Sequence, residues 1–281
     1  MTTARALLDE GTRALPGDEA RREAALLLRH VLNVSDAWLV AHPDETIDVA
    51  HEAAFRGLIE RRARGEPVAY LTGTRGFHDI ELRVAPGVLI PRPETEVLVD
   101  LAVQRIPADT DCNVADLGTG SGAIALAIAR ARPQVRVVAT DVSATALEVA
   151  RGNAARLRIG NVEFRRGDWY AGLDGEHFDM IVSNPPYIPE GDPHLQEGDL
   201  RFEPAAALAS GVDGLDAIRA IALGARGHLR SGGWLLLEHG FDQAADVRDL
   251  LLEHGFAEVF TQDDLEGRER VTGGRISFPV L

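Results

Sequence analysis

Val114-Ala115-Asp116-Leu117-Gly118-Thr119-Gly120-Ser121-Gly122-Ala123, running on into Ile124–Ala131, is an apolar run, a glycine-rich turn and a helical stretch in succession. That order forms a cradle for a nucleotide cofactor. Glycine lets the backbone approach the ligand, and a helix N-terminus adds N–H donors. Gly118, Gly120 and Ala123 also fit the dinucleotide pattern G-x-G-x-x-G/A, so the cradle alone leaves the cofactor open. After a second apolar run, Val135–Thr140, comes Asp141, an acid placed to take both ribose hydroxyls. Nicotinamide enzymes share that feature.

A second motif narrows the chemistry. Phe178-Asp179-Met180-Ile181-Val182-Ser183 reads as a buried strand and runs directly into Asn184-Pro185-Pro186-Tyr187. Two prolines cannot continue a sheet, because proline lacks the N–H and fixes φ, so the chain leaves in a stiff loop. Carbonyl acceptors at Asn184 Oδ1 and on the Pro185 backbone suit one task, holding a planar NH2 group by its protons while its nitrogen is alkylated. Such a nitrogen is a weak nucleophile, since its lone pair is delocalised. Acceptors on both protons turn the lone pair toward an electrophile and stabilise the charge growing on nitrogen. Tyr187 is placed to pack on the planar group.

Three features favour S-adenosylmethionine as the cofactor. Asp116 lies two residues before the first glycine, placed to meet the amino-acid end. Gly167-Asp168-Trp169 follows a third strand, Val162–Arg166, where polar and aromatic groups can frame an adenine. The proline loop follows the fourth strand, on the sheet edge where open α/β folds bind ligands.

On these two motifs the chain resembles the glutamine methyltransferases of peptide chain release factors, the HemK/PrmC family. The likeness extends to Leu89-Ile90-Pro91-Arg92-Pro93-Glu94-Thr95-Glu96, Asp192-Pro193-His194-Leu195, Arg201-Phe202-Glu203-Pro204, Leu235–Gly240 and Gly267–Val271. The resemblance implies a class I, Rossmann-like S-adenosylmethionine-dependent methyltransferase fold with a mostly parallel seven-stranded sheet. It implies cofactor contacts from Asp116, Gly118, Thr119, Gly120, Ser121, Gly122, Asp141, Asp168, Trp169 and Asn184. It implies catalysis by Asn184, Pro185 and Tyr187, with Pro186 completing the substrate loop. The substrate it implies is the glutamine of the Gly-Gly-Gln motif in class I release factors, methylated on the side-chain nitrogen. From the residues alone the substrate is only a planar NH2 group. A ribosomal-protein glutamine and, further off, a nucleic-acid amino group remain open. So do a nicotinamide oxidoreductase, which would leave Asn184–Tyr187 without use, and a catalytically silent binding module.

Composition fits a soluble globular protein. The chain has 281 residues, 45% hydrophobic and 26% charged, enough for one large core and a smaller domain. Its net charge of −15 argues against tracking a nucleic-acid backbone. The one arginine cluster, Arg56, Arg61, Arg62 and Arg64, reads as a solvated helix face. A single cysteine, Cys112, excludes an internal disulfide and fits a reducing cytoplasm; it fills space. No signal peptide or membrane span is expected, and the protein is expected to be a monomer. The nine histidines include no H-x-H, H-E-x-x-H or C-x-x-C spacing, so no metal is expected. His194 reads as a surface-loop residue, and Glu238-His239-Gly240 either shapes the pocket or caps a strand.

Periodicity divides the chain into three. Residues 1–66 are helical, with Asp18 as a cap and apolar stripes at Ala24, Leu27, Leu28, Val31 and at Ala54, Phe55, Leu58, Ile59. This module is expected to recognise the substrate. Residues 67–91, with short runs at Phe77–Leu82 and Val84–Ile90, read as a β-hairpin linker. Residues 92–281 alternate strand and helix, the rhythm of a doubly wound sheet, with strands at 113–117, 135–140, 161–166, 178–183, 233–237 and 256–261. A last strand over Arg275–Val280, after Gly273-Gly274, is expected to insert antiparallel.

Overall fold

The computed structural model describes residues 2–276, which divide after Thr74 into two compact units. In the first, short strands β1 (Thr2–Thr3) and β2 (Thr46–Ile47) pair antiparallel beside helices α1 (Ala4–Ala14), α2 (Ala20–Leu32), α3 (Asp36–Ala41), α4 (Val49–Ala63) and α5 (Val68–Thr72). Leu7, Ala24, Leu27, Leu28, Phe55 and Ile59 form its core. The α4 stripe differs from expectation in one place. Ala54 is exposed, and Glu52 is buried instead, its carboxylate accepting from the Thr2 N–H at 3.0 Å. The cap of α2 differs too: the N-cap is Glu19, with no side-chain bond.

A short hairpin, β3 (Thr74–Phe77) and β4 (Ile80–Arg83), follows. It is narrower than the 67–91 hairpin expected, which α5 enters from one side. The Val84–Ile90 run makes no strand, because Pro86-Gly87 forms a turn closed by the Val88 N–H on Ala85 O at 3.1 Å. Val88 and Ile90 remain buried, and that burial explains their strand-like alternation.

The second unit continues through α6 (Glu96–Arg105), β5 (Asn113–Leu117), α7 (Ala123–Ala131), β6 (Arg136–Asp141), α8 (Ala144–Leu157), β7 (Val162–Arg166) and β8 (Phe178–Ser183). It ends with α9 (Asp216–Ala225), β9 (Leu229–Glu238), α10 (Ala244–Glu253), β10 (Phe256–Asp263) and β11 (Glu269–Ile276). The seven strands from β5 onward form one sheet in the order β10-β11-β9-β8-β5-β6-β7. β6, β8 and β9 join the parallel set around β5, β7 extends it, and β11 lies antiparallel between β9 and β10.

Alternate residues of each central strand feed opposite cores. Val114, Met180, Val182 and Leu236 pack with α6 and α7, while Ala115, Ile181, Leu235 and Leu237 pack with α9 and α10. Each large side chain buried in this way contributes roughly 1.5–3 kcal/mol. The strand order reverses at β5 and β8, and at such a switch point the loops beyond the strand ends splay apart to leave a crevice.

The last strand departs from expectation. It begins at Glu269, and Gly273-Gly274 lies within it. Glycine is needed there because a Cβ at Gly273 would stand 2.5 Å from Leu236 Cδ2 and 2.8 Å from Phe260 Cε1. The rest of the expected run, residues 277–280, lies outside the described residues. Among the described residues, no helix is long and apolar enough to cross a membrane, and no group of acidic, histidine or cysteine side chains could hold a metal.

Candidate active site

A cavity of about 420 Å³ opens at the C-terminal edge of the parallel strands, walled by the glycine turn, the loops after β6, β7 and β8, and residues 87–95. Gly118, Thr119, Gly120 and Ser121 line it after β5, Asp141 after β6, Asp168 and Trp169 after β7, and Asn184, Pro185 and Pro186 after β8. A smaller cavity of about 60 Å³ shares Asn184–Pro186 and adds Tyr187, Ile188 and Leu208. Segments distant in sequence therefore meet where the strand order predicts.

The glycine turn is held from several sides. The Gly118 and Thr119 N–H groups both donate to Thr140 O at 2.9 Å. Asp141 accepts from the Gly120 N–H through Oδ2 and from the Ser143 N–H through Oδ1, each at 2.8 Å. Its carboxylate is thus fixed beside the turn with further lone pairs available to a ligand hydroxyl. Trp169 adopts φ 47, and its carbonyl accepts from Thr140 Oγ1 at 3.1 Å, which fixes the loop after β7 against β6.

Two residues expected to touch a cofactor do not line the cavity. Asp116 is fully buried; its Oδ2 accepts from Thr119 Oγ1 at 2.6 Å and from the Ala125 N–H at 3.2 Å. It clamps the turn to the start of α7. Burial pushes its pKa up to about 7 against the opposing pull of those two donors, and Oδ1 has no partner among the described residues. Gly122 also stands outside the cavity. It is the left-handed N-cap of α7, φ 86, where a Cβ would meet Leu126 at 3.0 Å and Ala150 at 3.2 Å.

The loop after β8 is anchored at Ser183, Asn184 and Tyr187. Ser183 Oγ donates to Leu117 O at 2.6 Å, which ties it to the glycine turn. Asn184 Nδ2 donates to Thr95 Oγ1 at 3.0 Å, leaving Oδ1 as the acceptor end of the amide. The Tyr187 hydroxyl donates to Glu238 Oε1 at 3.3 Å, and its carbonyl accepts from Gln243 Nε2 at 2.9 Å. Beyond it, Ile188 bridges to Ala209. Burial, reinforced by Glu238, raises the Tyr187 pKa, so the phenol stays neutral.

Four residues outside the expected cofactor and catalytic set also shape the site. Thr95 lines the cavity and Glu238 lies buried behind it. Glu203 binds the Arg92 guanidinium and accepts from the Ile90 N–H at 2.9 Å, which joins one wall to the segment after the proline loop. Asn153 donates to both Arg83 O and Ser121 O at 3.0 Å, stapling β4 to the glycine turn. The one signal for it was a polar residue on a stripe with Ala146, Leu147, Ala150 and Ala154, all buried. His194 is exposed and paired to Asp192 at 2.8 Å, as a surface-loop histidine should be. Cys112 is free and buried, its thiol pushed up to about 12 by burial, and so is unreactive.

Comparison with known proteins places this geometry in a family. Residues 6–73 match the PrmC N-terminal domain, and residues 94–201 match the methyltransferase small domain. The release factor glutamine methyltransferase of Xylella fastidiosa strain Temecula1 is 56% identical over 91% of this chain and 93% of its own. The protein of that name from Pseudomonas aeruginosa is 50% identical over 98% of this chain and 99% of its own. The fold alone is shared with a ribosomal protein L11 methylase from Lactobacillus delbrueckii, at 21% identity and TM-score 0.52 over 70% of this chain and 86% of that one. With identity of 50% or more sustained along nearly the whole length, the chain belongs to the release factor glutamine methyltransferase family.

Proposed function

We propose that this protein methylates the side-chain amide nitrogen of the glutamine in the Gly-Gly-Gln motif of class I peptide chain release factors, with S-adenosylmethionine as donor. The observation that carries the reading is the fixed polarity of Asn184. Its Nδ2 is engaged by Thr95, and its Oδ1 remains an acceptor where the two cavities meet.

The larger cavity suits the cofactor in size and lining. Its volume falls in the range of small-molecule sites. Asp141 offers lone pairs to a ribose, and Asp168 and Trp169 offer a polar edge and an aromatic face to an adenine. When bound, S-adenosylmethionine supplies a methyl carbon on a sulfonium whose sulfur departs with the bonding pair. Asn184 Oδ1 and the Pro185 carbonyl accept the two amide protons of the incoming glutamine and orient its lone pair toward that carbon. The same two dipoles stabilise the positive charge arising on nitrogen, and the surplus proton leaves to solvent afterwards. Positioning and preorganised dipoles account for the acceleration, without a general base. Tyr187 and the two prolines form the wall on which the amide plane rests.

The unit up to Thr74 recognises the release factor, and the protein works as a cytoplasmic monomer without a nucleic-acid or membrane partner. Support for the first point is the match of residues 6–73 to a domain particular to this family. Isothermal titration with S-adenosylhomocysteine, run beside turnover on a release factor, tests the reading. Binding with turnover is expected; turnover without dependence on the Gly-Gly-Gln glutamine would refute the substrate assignment.

A further inference from the structure

Thr95 occupies the N-cap of α6, where a threonine hydroxyl ordinarily accepts from its own helix, yet it makes no such capping bond. Its residue is 3% exposed, and its hydroxyl instead accepts from Asn184 Nδ2 at 3.0 Å. A hydroxyl has one proton to give and two lone pairs. Whichever group takes the proton decides whether Thr95 meets Asn184 as an acceptor or as a donor.

Glu238, at the end of β9, is 1% exposed. Its Oε1 accepts from Tyr187, and its Oε2 is buried without a partner among the described residues. A buried acceptor left unsatisfied is costly, and the Thr95 hydroxyl is close enough to hold the Glu238 pKa down against burial.

We propose that Glu238 and Thr95 are positioning residues that set the polarity of Asn184. The ionised Glu238 draws the Thr95 proton, Thr95 then presents a lone pair to Asn184 Nδ2, and Asn184 Oδ1 is left turned to the substrate amide. Reversing the chain would present Nδ2 to the substrate, a donor facing two donors. The Glu238 contact to Tyr187 lets one carboxylate fix both ends of the four-residue loop. The proposal rests on the acceptor role given to Asn184 above.

Ionisation of Glu238 sets the sense of the chain. Burial pushes its carboxyl up to about 7, opposed by Thr95, Arg270 and Tyr187 and reinforced by Glu94. Of these, Arg270 on β11, Tyr187 in the loop after β8 and Glu94 before α6 are the charged and titratable groups facing it. Once protonated, Glu238 has a proton of its own to donate, and Thr95 loses its acceptor.

The test compares Thr95→Val, Thr95→Ser and Asn184→Ala for kcat on a release factor, with S-adenosylhomocysteine affinity and thermal melting measured alongside. Thr95→Val is expected to lose at least about tenfold in kcat with cofactor affinity within about threefold, and Thr95→Ser to recover most of the loss. Near-normal kcat in Thr95→Val with Asn184→Ala inactive would overturn the relay and leave the acceptor reading standing. Turnover in Asn184→Ala would remove the acceptor reading and the relay together. Parallel loss of kcat and cofactor binding, unrescued by serine, would make Thr95 structural and overturn the proposal. Should Thr95→Val fail to melt cooperatively, the pH profile of Glu238→Gln decides. Wild-type kcat should fall below about pH 7 and the variant should not; the same acid limb in both would overturn the proposal.

Discussion

Asn184 carries an amide whose two ends are chemically opposite, and function depends on which end faces the cavity. With Nδ2 held by Thr95, the proposed mechanism has Asn184→Ala remove an acceptor that acts on charge developing during transfer. Loss of at least about 1,000-fold in kcat, roughly 4 kcal/mol, is expected, with cofactor affinity changed less than about tenfold. Single-turnover kinetics with calorimetry would check both halves. Tyr187 was expected from sequence to act through its ring alone, but its hydroxyl has a partner in Glu238, at a long 3.3 Å. Tyr187→Phe should therefore cost only about 0.5–1.5 kcal/mol, less than roughly fifteenfold in kcat; a larger loss would mean that the phenol does chemistry. Asp116 gives a prediction about pH. Its pKa rises from 3.8 in the unfolded chain to about 7 in the fold, so the fold favours the neutral acid. The penalty for charging it is absent below pH 4, grows through the window, and is complete above about pH 7. Asp116→Asn escapes it, so its stability relative to wild type should increase from pH 5 to pH 8, by at most about 3 kcal/mol. Denaturant titrations at both pH values measure this, and an unchanged difference would count against a buried ionising Asp116.

At the scale of elements, strands β5 and β8 were legible to the residue, since each is a short apolar run ended by a glycine or proline break. The glycine turn and proline loop were legible as cavity walls for the same reason. What sequence missed were contacts between distant segments. Asp116 reads as a ligand contact, and its spacing from Gly118 cannot reveal that Thr119 and Ala125 occupy one of its two oxygens. Thr95 reads as a helix start, and Glu238 as either a pocket residue or a strand cap, because their partners lie on other elements. The hairpin was drawn too long because alternation in Val84–Ile90 reports burial, not pairing. Strand β11 was misplaced because glycine pairs usually mark turns, whereas Gly273 lies under Leu236 and Phe260. Gly273→Ala should destabilise by about 1–3 kcal/mol through overpacking, visible as a lowered melting temperature; an unchanged melt would show that β9 and β10 can give way.

For the whole molecule, charge and architecture point the same way. The net charge of −15 is accompanied by arginines tied to carboxylates: Arg56 to Glu10 and Glu52, Arg61 to Glu66, and Arg62 to Glu23. Surface pairs add little stability, about 0–1 kcal/mol each, and of these Arg62–Glu23 is largely buried. Membership in the family removes the nicotinamide reading. The most direct measurement is transfer of labelled methyl from S-adenosylmethionine to a purified class I release factor, beside a factor whose Gly-Gly-Gln glutamine is replaced by alanine. Label on the first and none on the second is the expected result. Equal label on both, or none on either while cofactor binding is intact, would contradict the proposed substrate.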